Sequence, residues 1–166
     1  YEQLLRILNT RYGQFGRDRF FKKEELFSKF LIGEFGVEKL IENYEDEKFG
    51  EIIEQLKKVG FVIENHQSKE TLKQRIDALN VIRNNGTVGE VFEYIRNNTL
   101  LFIPDKIVEF EKYITQDEFA EDEKAEAKKQ YYTSLMNLKY TEIISAYRFV
   151  EDKTIFSTKH GTKGAE

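Results

Sequence analysis

The sequence has no cysteine and a single proline among its 166 residues. Disulfides and thiolate metal sites are therefore excluded, which is compatible with a cytoplasmic protein. Long apolar runs are also missing: none approaches the roughly 20 residues that a membrane-spanning helix needs, so no membrane partner is expected. A chain of this length suits one domain, or one subdomain of a larger protein. It begins at Tyr1 without a methionine, which fits excision from a longer polypeptide.

Several signatures of enzymes are missing as well. There is no G-x-x-x-x-G-K-[ST] segment, so the chain has no loop of this kind to cradle ATP phosphates. No Ser-His-Asp or Cys-His arrangement can be proposed, and none of the many carboxylates forms a spaced pair beside an apolar pocket. His66 stands alone between Asn65 and Gln67, so we interpret it as a solvated loop residue rather than a metal ligand. The net charge of −4 does not favour non-specific nucleic-acid binding by the whole surface.

Apolar residues recur at helical spacing through most of the chain, and runs of β-branched residues are short. Glycines are expected to end two of the helices, one near Gly33 or Gly36 and another at Gly60, and Asn84-Asn85-Gly86 is expected to end the helix that covers 72–82. A capping box at Thr87–Glu90 begins a later helix. The segment 61–63 is a short strand or an extended link. The predicted helical segments cover about 1–12, 26–31, 37–44, 52–59, 72–82, 91–95, 107–114 and 140–150. The fold prediction is therefore an irregular all-α bundle.

Aromatic residues are abundant, with 14 Phe and 9 Tyr. Exposed rings can serve as stacking platforms for nucleic-acid bases. Most of these residues fall at the spacing of a helix core, so core packing is the favoured interpretation. The pair Tyr131 and Tyr132 could include one exposed ring.

The last eleven residues, 156–166, read F-S-T-K-H-G-T-K-G-A-E. Residues 154–156 predict a short buried strand that leads into this stretch. Beyond it, glycines allow the backbone to approach a ligand, and successive N–H groups can form an anion-binding concavity. The side chains of Thr158, His160 and Lys163 suit phosphate oxygens. The residues alone predict either a loop that meets a phosphorylated ligand or a flexible polar tail.

The spacing T-x-H-x-x-K-G-x-E resembles the fifth conserved motif of UvrD/Rep-type superfamily 1 DNA helicases. The matching residues are Thr158, His160, Lys163, Gly164 and Glu166. In that family the motif follows a strand of the second RecA-like domain and contacts single-stranded DNA on one side and the nucleotide on the other. The resemblance implies that Thr158 and His160 bind single-stranded DNA, while Gly164 and Glu166 face the ATP phosphates and ribose. Lys163 matches the motif without an assigned contact, and Ala165 departs from the large aliphatic residue that is usual there.

The resemblance also implies a domain organisation. In UvrD-like helicases a mostly helical subdomain is inserted into the second RecA-like domain, between the fourth and fifth motifs. Residues 1–152 would be that subdomain, and residues 153–166 the strand and loop of the RecA-like domain. The fold class is then an all-α bundle with a short C-terminal strand leading into a RecA-like domain.

The parent protein would be an ATP-dependent 3′–5′ DNA helicase or translocase, with ATP and Mg²⁺ as its cofactors. Its partners would be single-stranded DNA, duplex junctions and the remainder of the helicase chain. This segment alone would bind neither cofactor and is not expected to be active.

A basic segment that contains two glycines lies near the start of the chain. Its possible duplex DNA contacts are Arg11, Gly13, Gly16, Arg17 and Arg19. Glycine amides and arginines at the start of a helix hold phosphates well. In UvrD relatives a Gly-x-Gly turn approaches the duplex backbone; here the spacing is Gly-x-x-Gly and the expected proline is absent. The alternative is a surface turn whose arginines pair with nearby carboxylates.

Two other functions stay open. The helical body could be a non-enzymatic interaction module that docks a protein partner, for example a nuclease in a phage-defence complex. It could also be a plain helical DNA-binding protein with a disordered tail. The acidic net charge and the absence of a helix-turn-helix signature argue against the second of these.

Overall fold

The computed structural model describes residues 1–9, 16–60, 62–115 and 123–165, and it describes side chains as far as residue 152, except that of Glu123. These residues contain ten α-helices and no strand, which confirms the predicted all-α class. Within this part of the chain, no helix has both the length and the apolar character that crossing a bilayer requires. The helices are α1 (Glu2–Leu8), α2 (Gly16–Phe21), α3 (Leu26–Leu31), α4 (Val37–Glu45), α5 (Phe49–Lys57), α6 (His66–Asn85), α7 (Val88–Asn98), α8 (Asp105–Thr115), α9 (Glu123–Asn137) and α10 (Tyr140–Ala165).

The C-terminal part of the chain differs from the sequence prediction. Residues 154–156, predicted as a strand, lie inside α10, which continues to Ala165 instead of ending near Val150. Gly161 and Gly164, predicted to form a turn, lie in the same helix. A strand needs a neighbour to pair its N–H and C=O groups, whereas each residue added to an existing helix makes its own hydrogen bond. The described residues contain no strand that could pair with residues 154–156, so the backbone groups of these residues form the hydrogen bonds of a helix instead. A RecA-like domain is not shown.

The helix ends follow local capping chemistry. α6 begins after Asn65, whose side chain accepts from the Ser68 N–H at 2.9 Å, while Ser68 Oγ accepts from the Asn65 N–H at 3.1 Å. α7 begins after Thr87, whose hydroxyl accepts from the Glu90 N–H at 3.2 Å, and this is one half of the predicted capping box. Gly60, which was predicted to end α5, has a φ of +73°, a left-handed conformation that favours glycine.

One hydrophobic core takes buried side chains from all ten helices. α6 packs against α4, α7 and α10, while α7 also packs against α9. The buried apolar side chains of α6 include Leu72, Ile76 and Leu79, which share one face because they are four and three residues apart. Each such side chain contributes about 1.5–3 kcal/mol through burial. α1 packs on both α9 and α10 and covers that end of the core.

Aromatic rings around Phe27 join α3 to α7, α8 and α9. The Phe27 ring centroid lies 6.2 Å from that of Phe92, 5.5 Å from that of Phe110 and 5.9 Å from that of Tyr132. Pairs of this kind contribute about 0.5–1.5 kcal/mol beyond their buried area. Tyr131 is buried and Tyr132 is half-buried, so the core interpretation is confirmed for these residues.

Two turns that are far apart in the sequence are joined through their backbones. The Val88 N–H donates to the Leu138 carbonyl at 2.9 Å, and the Tyr140 N–H donates to the Gly86 carbonyl at 3.0 Å. These bonds form an isolated β-bridge between the α6–α7 turn and the α9–α10 turn. The starts of α7 and α10 are therefore fixed against each other.

Candidate functional site

The residues of the T-x-H-x-x-K-G-x-E spacing belong to the C-terminal end of α10. Thr158, His160, Lys163 and Gly164 fall inside the helical range, and Glu166 lies outside the described residues. The side chains of this stretch are also outside the description. The contacts to single-stranded DNA and to ATP therefore stay predictions.

The basic segment is described in part. Arg11 and Gly13 lie outside the described residues, and Gly16 is the first residue of α2. Arg17 and Arg19 are exposed on α2, and neither forms a salt bridge within the described part of the chain. Exposed guanidinium groups of this kind are accessible to phosphate oxygens.

α2 meets α10 just before the helicase-like spacing begins. The ring centroids of Phe21 and Phe149 are 6.3 Å apart, and Lys23 Nζ lies 2.9 Å from Glu151 Oε1. Lys23 Nζ also lies 5.8 Å from the ring centroid of Tyr147. The structure thus brings the basic segment next to the part of α10 that precedes residue 153.

Tyr147 extends this junction towards α4. Its hydroxyl donates to Glu42 Oε2 at 2.5 Å, and Lys39 Nζ donates to the same oxygen at 3.1 Å. Burial raises the pKa of Tyr147 well above its ordinary value, and the hydrogen bond to Glu42 adds to the rise. Burial alone would raise the pKa of Glu42, but the hydrogen bonds from Tyr147 and Lys39 outweigh it and lower that pKa. At neutral pH the phenol stays protonated and the carboxyl ionised, so this is a fixed polar link between α10 and α4.

A buried ion pair joins α4 to α6. Glu38 accepts two hydrogen bonds from Arg83, at 2.6 Å from Nε and 2.5 Å from Nη2, and the two side chains are only 1% and 10% exposed. The Tyr140 hydroxyl donates to Glu38 at 2.8 Å, and Arg83 Nη1 donates to Asn80 at 2.8 Å. Burial and the adjacent carboxylate raise the pKa of Tyr140 well above its ordinary value. With its charges paired, the cluster holds three helices together rather than offering a reactive group.

Sequence reasoning missed this cluster, although one signal of it was present. Arg83 lies four residues after Leu79 and therefore continues the buried face of α6. A charged residue on such a face requires a buried partner of opposite charge. The partner, Glu38, is 45 residues away in the sequence, and local spacing does not identify it.

An acidic cavity of about 340 Å³ lies beside this ion pair, between α4, α6 and α10. Its carboxylates come from Glu38, Glu42, Glu45, Glu151 and Asp152. Among the described residues, no group of three His, Cys, Asp or Glu side chains is arranged to hold a metal ion. Three of the five carboxylates already accept hydrogen bonds from Arg83, Tyr147 or Lys23, so we assign no ligand to this cavity.

A second cavity, of about 430 Å³, lies among the α3–α4 loop, α5 and the α7–α8 loop, and we name it the Phe35–Phe102 groove. Phe35 and Phe102 are 57% and 47% exposed, and Lys58 Nζ lies 4.8 Å from the centroid of the Phe35 ring. The groove is also lined by Lys23, Lys29, Phe30, Gly33, Glu34, Gln55, Leu101 and Pro104. Sequence reasoning missed this groove because it assigned most aromatic residues to the core.

Comparison of the chain with protein-family models, with curated proteins and with solved structures gives no match.

Proposed function

We propose that this chain is the helical inserted subdomain, with the start of the fifth motif, of a UvrD-like ATP-dependent 3′–5′ DNA helicase or translocase. The observation that carries the proposal is the order of the parts: an all-helical body followed directly by the T-x-H-x-x-K-G-x-E spacing. α1 packs on α10, and the ring centroids of Tyr1 and Phe149 are 5.3 Å apart, so α1 lies beside the helix that leads into this spacing.

In the parent protein, residues 153–166 would join the sheet of the second RecA-like domain. A neighbouring strand there would supply the pairing that residues 154–156 lack in this chain, and the helical form of α10 would give way to a strand and a loop. Thr158 and His160 would then contact single-stranded DNA, while Gly164 and Glu166 would face ATP. Exposed Arg17 and Arg19, together with Arg11, would approach the backbone of a duplex junction.

ATP and Mg²⁺ would be bound largely by other parts of the parent. This chain has no phosphate-binding P-loop, and its described residues hold no acidic group arranged for a metal ion. Its role in the cycle would be to couple the state of the nucleotide to the grip on the DNA strand. The segment alone is not expected to hydrolyse ATP.

The proposal is tested by ATPase measurements on the protein that carries this chain. His160→Ala should lower DNA-stimulated ATPase more than basal ATPase, because the imidazole would act on the DNA side. His66→Ala is the matched control, since the His66 side chain is 87% exposed and lies outside the motif. Equal loss of both activities in His160→Ala, or no loss, would contradict the DNA-side role.

The Phe35–Phe102 groove favours a second candidate function. An exposed aromatic groove suits a module that docks a protein partner, such as a nuclease in a phage-defence complex, with little contact to DNA. On this alternative, the protein would keep its partner when the arginines of the basic segment are removed.

A further inference from the structure

Folding alone does not explain the exposed rings of the Phe35–Phe102 groove. Phe35 and Phe102 come from separate loops, yet both line the same cavity. Phe149, another exposed phenylalanine, packs on the rings of Tyr1 and Phe21. No ring contact joins Phe35 or Phe102 to another aromatic residue in the described part of the chain. Aromatic side chains exposed around a concave surface are typical of protein interaction sites.

The rim of the groove is positively charged. Lys29 and Lys58 are exposed, and neither forms a salt bridge among the described residues. Lys23 also lines the groove, but its ammonium group is bound to Glu151. Glu34 supplies a single carboxylate to the described lining. In a chain of net charge −4, this local excess of lysine favours a partner of negative charge.

The buried side chains that line the groove are apolar apart from Gln55. Phe30 and Leu101 are buried there beside Pro104. The Gln55 amide donates one N–H to the Gly36 carbonyl, and its oxygen accepts from Asn43, both at 3.3 Å. The polar edge of a nucleobase, with several donors and acceptors, would lose more bonds to water than this one side chain can replace. An apolar side chain has no hydrogen bonds to water to lose, and its burial is favourable.

We infer that the Phe35–Phe102 groove binds an acidic segment of a partner protein, which inserts one large apolar side chain against Phe30 and Leu101. Carboxylates that flank the inserted residue pair with Lys29 and Lys58 at the rim. The cavity of about 430 Å³ falls within the range of about 300–1,000 Å³ that is usual for binding pockets. This interaction requires neither DNA, nor ATP, nor the C-terminal motif, so it stands independently of the helicase proposal.

The experiment uses a phage-displayed library of short random peptides, selected against the whole chain. Peptides with one large apolar residue flanked by Asp or Glu should be enriched. The enriched peptide, synthesised with a fluorescent label, should bind in an anisotropy assay, and its affinity should fall as salt is added. Replacing its apolar residue with serine should weaken binding by about tenfold or more.

Variants of the groove give the second part of the test. Phe35→Ser with Phe102→Ser should weaken peptide binding by about tenfold or more, and Lys29→Glu with Lys58→Glu should do the same and reverse the salt dependence. The matched controls are Val62→Ser with Val81→Ser, which alters apolar residues that are 64% and 62% exposed outside the groove. The controls should change affinity by less than about twofold. Because all these side chains are exposed, circular dichroism should show an unchanged helical fold.

Four results would overturn the inference. The first is enrichment of peptides without the acidic and apolar pattern, and the second is equal binding of the enriched peptide to the Phe35→Ser/Phe102→Ser variant. The third is that no peptide binds, while labelled oligothymidine binds the native chain and not this variant, which would make the groove a nucleic-acid site. The fourth is concentration-dependent dimerisation, seen by sedimentation and lost in the variant, which would make a second copy of the chain the occupant.

Discussion

Arg83 donates two hydrogen bonds to the carboxylate of Glu38, from Nε and Nη2, and this buried ion pair links α6 to α4. Tyr140 at the start of α10 donates to the same carboxylate, so one acidic side chain is shared by three helices. Removing the Arg83 side chain would leave the Glu38 carboxylate, which is 1% exposed, without its positively charged partner.

Arg83→Met is therefore expected to lower the free energy of unfolding by about 3–5 kcal/mol, measured by urea denaturation. The triple variant Arg83→Met/Glu38→Leu/Tyr140→Phe should lose less, because no buried polar group of the cluster is left without a partner. Lys57→Met removes the exposed ion pair with Glu54, in which the Lys57 side chain is 64% exposed, and should lower the free energy of unfolding by less than about 1 kcal/mol. A triple variant as unstable as the single one would contradict this account of the cluster.

Glu25 provides a test through pH. Its carboxylate caps α3 by accepting from the N–H groups of Phe27 and Ser28, both at 2.9 Å. Burial nevertheless raises its pKa above the ordinary 4.5, and these hydrogen bonds and Arg19 offset only part of the rise. The folded protein therefore holds this proton more tightly than the unfolded chain, and the resulting stability is lost as pH rises through the folded pKa.

We expect the stability of the native protein, measured relative to Glu25→Gln, to be greatest below the ordinary pKa of 4.5 and to fall as pH increases. Urea denaturation over a series of pH values measures this difference. Glu24→Gln, at the exposed neighbouring residue, should leave the profile unchanged. A stability difference that grows with pH would show that the hydrogen bonds, and not burial, dominate.

Two glycines should respond in opposite ways to the same substitution. A methyl group on Gly33 would collide with the carbonyl of Lys29, whereas a methyl group on Gly50 meets nothing within 4 Å. Gly33→Ala should therefore lower the free energy of unfolding by about 1 kcal/mol or more. Gly50→Ala, within α5, should raise it by up to about 1 kcal/mol because alanine favours a helix. Thermal melts of the two variants measure the shifts, and a stabilised Gly33→Ala would contradict the tight packing after α3.

The basic segment is tested by removing three charges together. Arg11→Ala with Arg17→Ala and Arg19→Ala should lower the affinity of the parent protein for a duplex junction and flatten its salt dependence, because fewer counterions are released. Lys57→Ala with Lys129→Ala and Lys139→Ala is the control, since it removes the same charge from exposed positions elsewhere. If both triple variants bind alike, the segment is a surface turn and not a DNA contact.

Local patterns predicted much of the helical body. The predicted end of a helix at Asn84-Asn85-Gly86 is confirmed, because Asn85 ends α6. The start of α6 was placed too late, at Leu72 instead of His66, since its first turns are polar and solvent-exposed and carry no apolar spacing. The cap formed by Asn65 and Ser68 was the available signal.

Local sequence patterns could not predict the features that depend on contacts between distant parts of the chain. A short apolar run such as 154–156 has no period that separates strand from helix, so the choice depends on what lies beside it. The exposure of Phe35 and Phe102 likewise depends on how two loops meet, and their residue type alone suggested burial. The DNA-side and ATP-side roles of the C-terminal residues rest on resemblance, and they stay predictions.

The pairing of the α6–α7 turn with the α9–α10 turn has a consequence for how the chain unfolds. Val88 and Tyr140 are the first residues of α7 and α10, where an amide N–H has no partner within its own helix and rapid deuterium exchange is usual. Each of these two amides is instead bonded to the other turn and belongs to a fully buried residue. Neither of the two hydrogen bonds can break unless the α6–α7 turn separates from the α9–α10 turn, so we expect the two turns to open as one cooperative unit. Slow exchange at these two positions would therefore report global unfolding rather than local fraying.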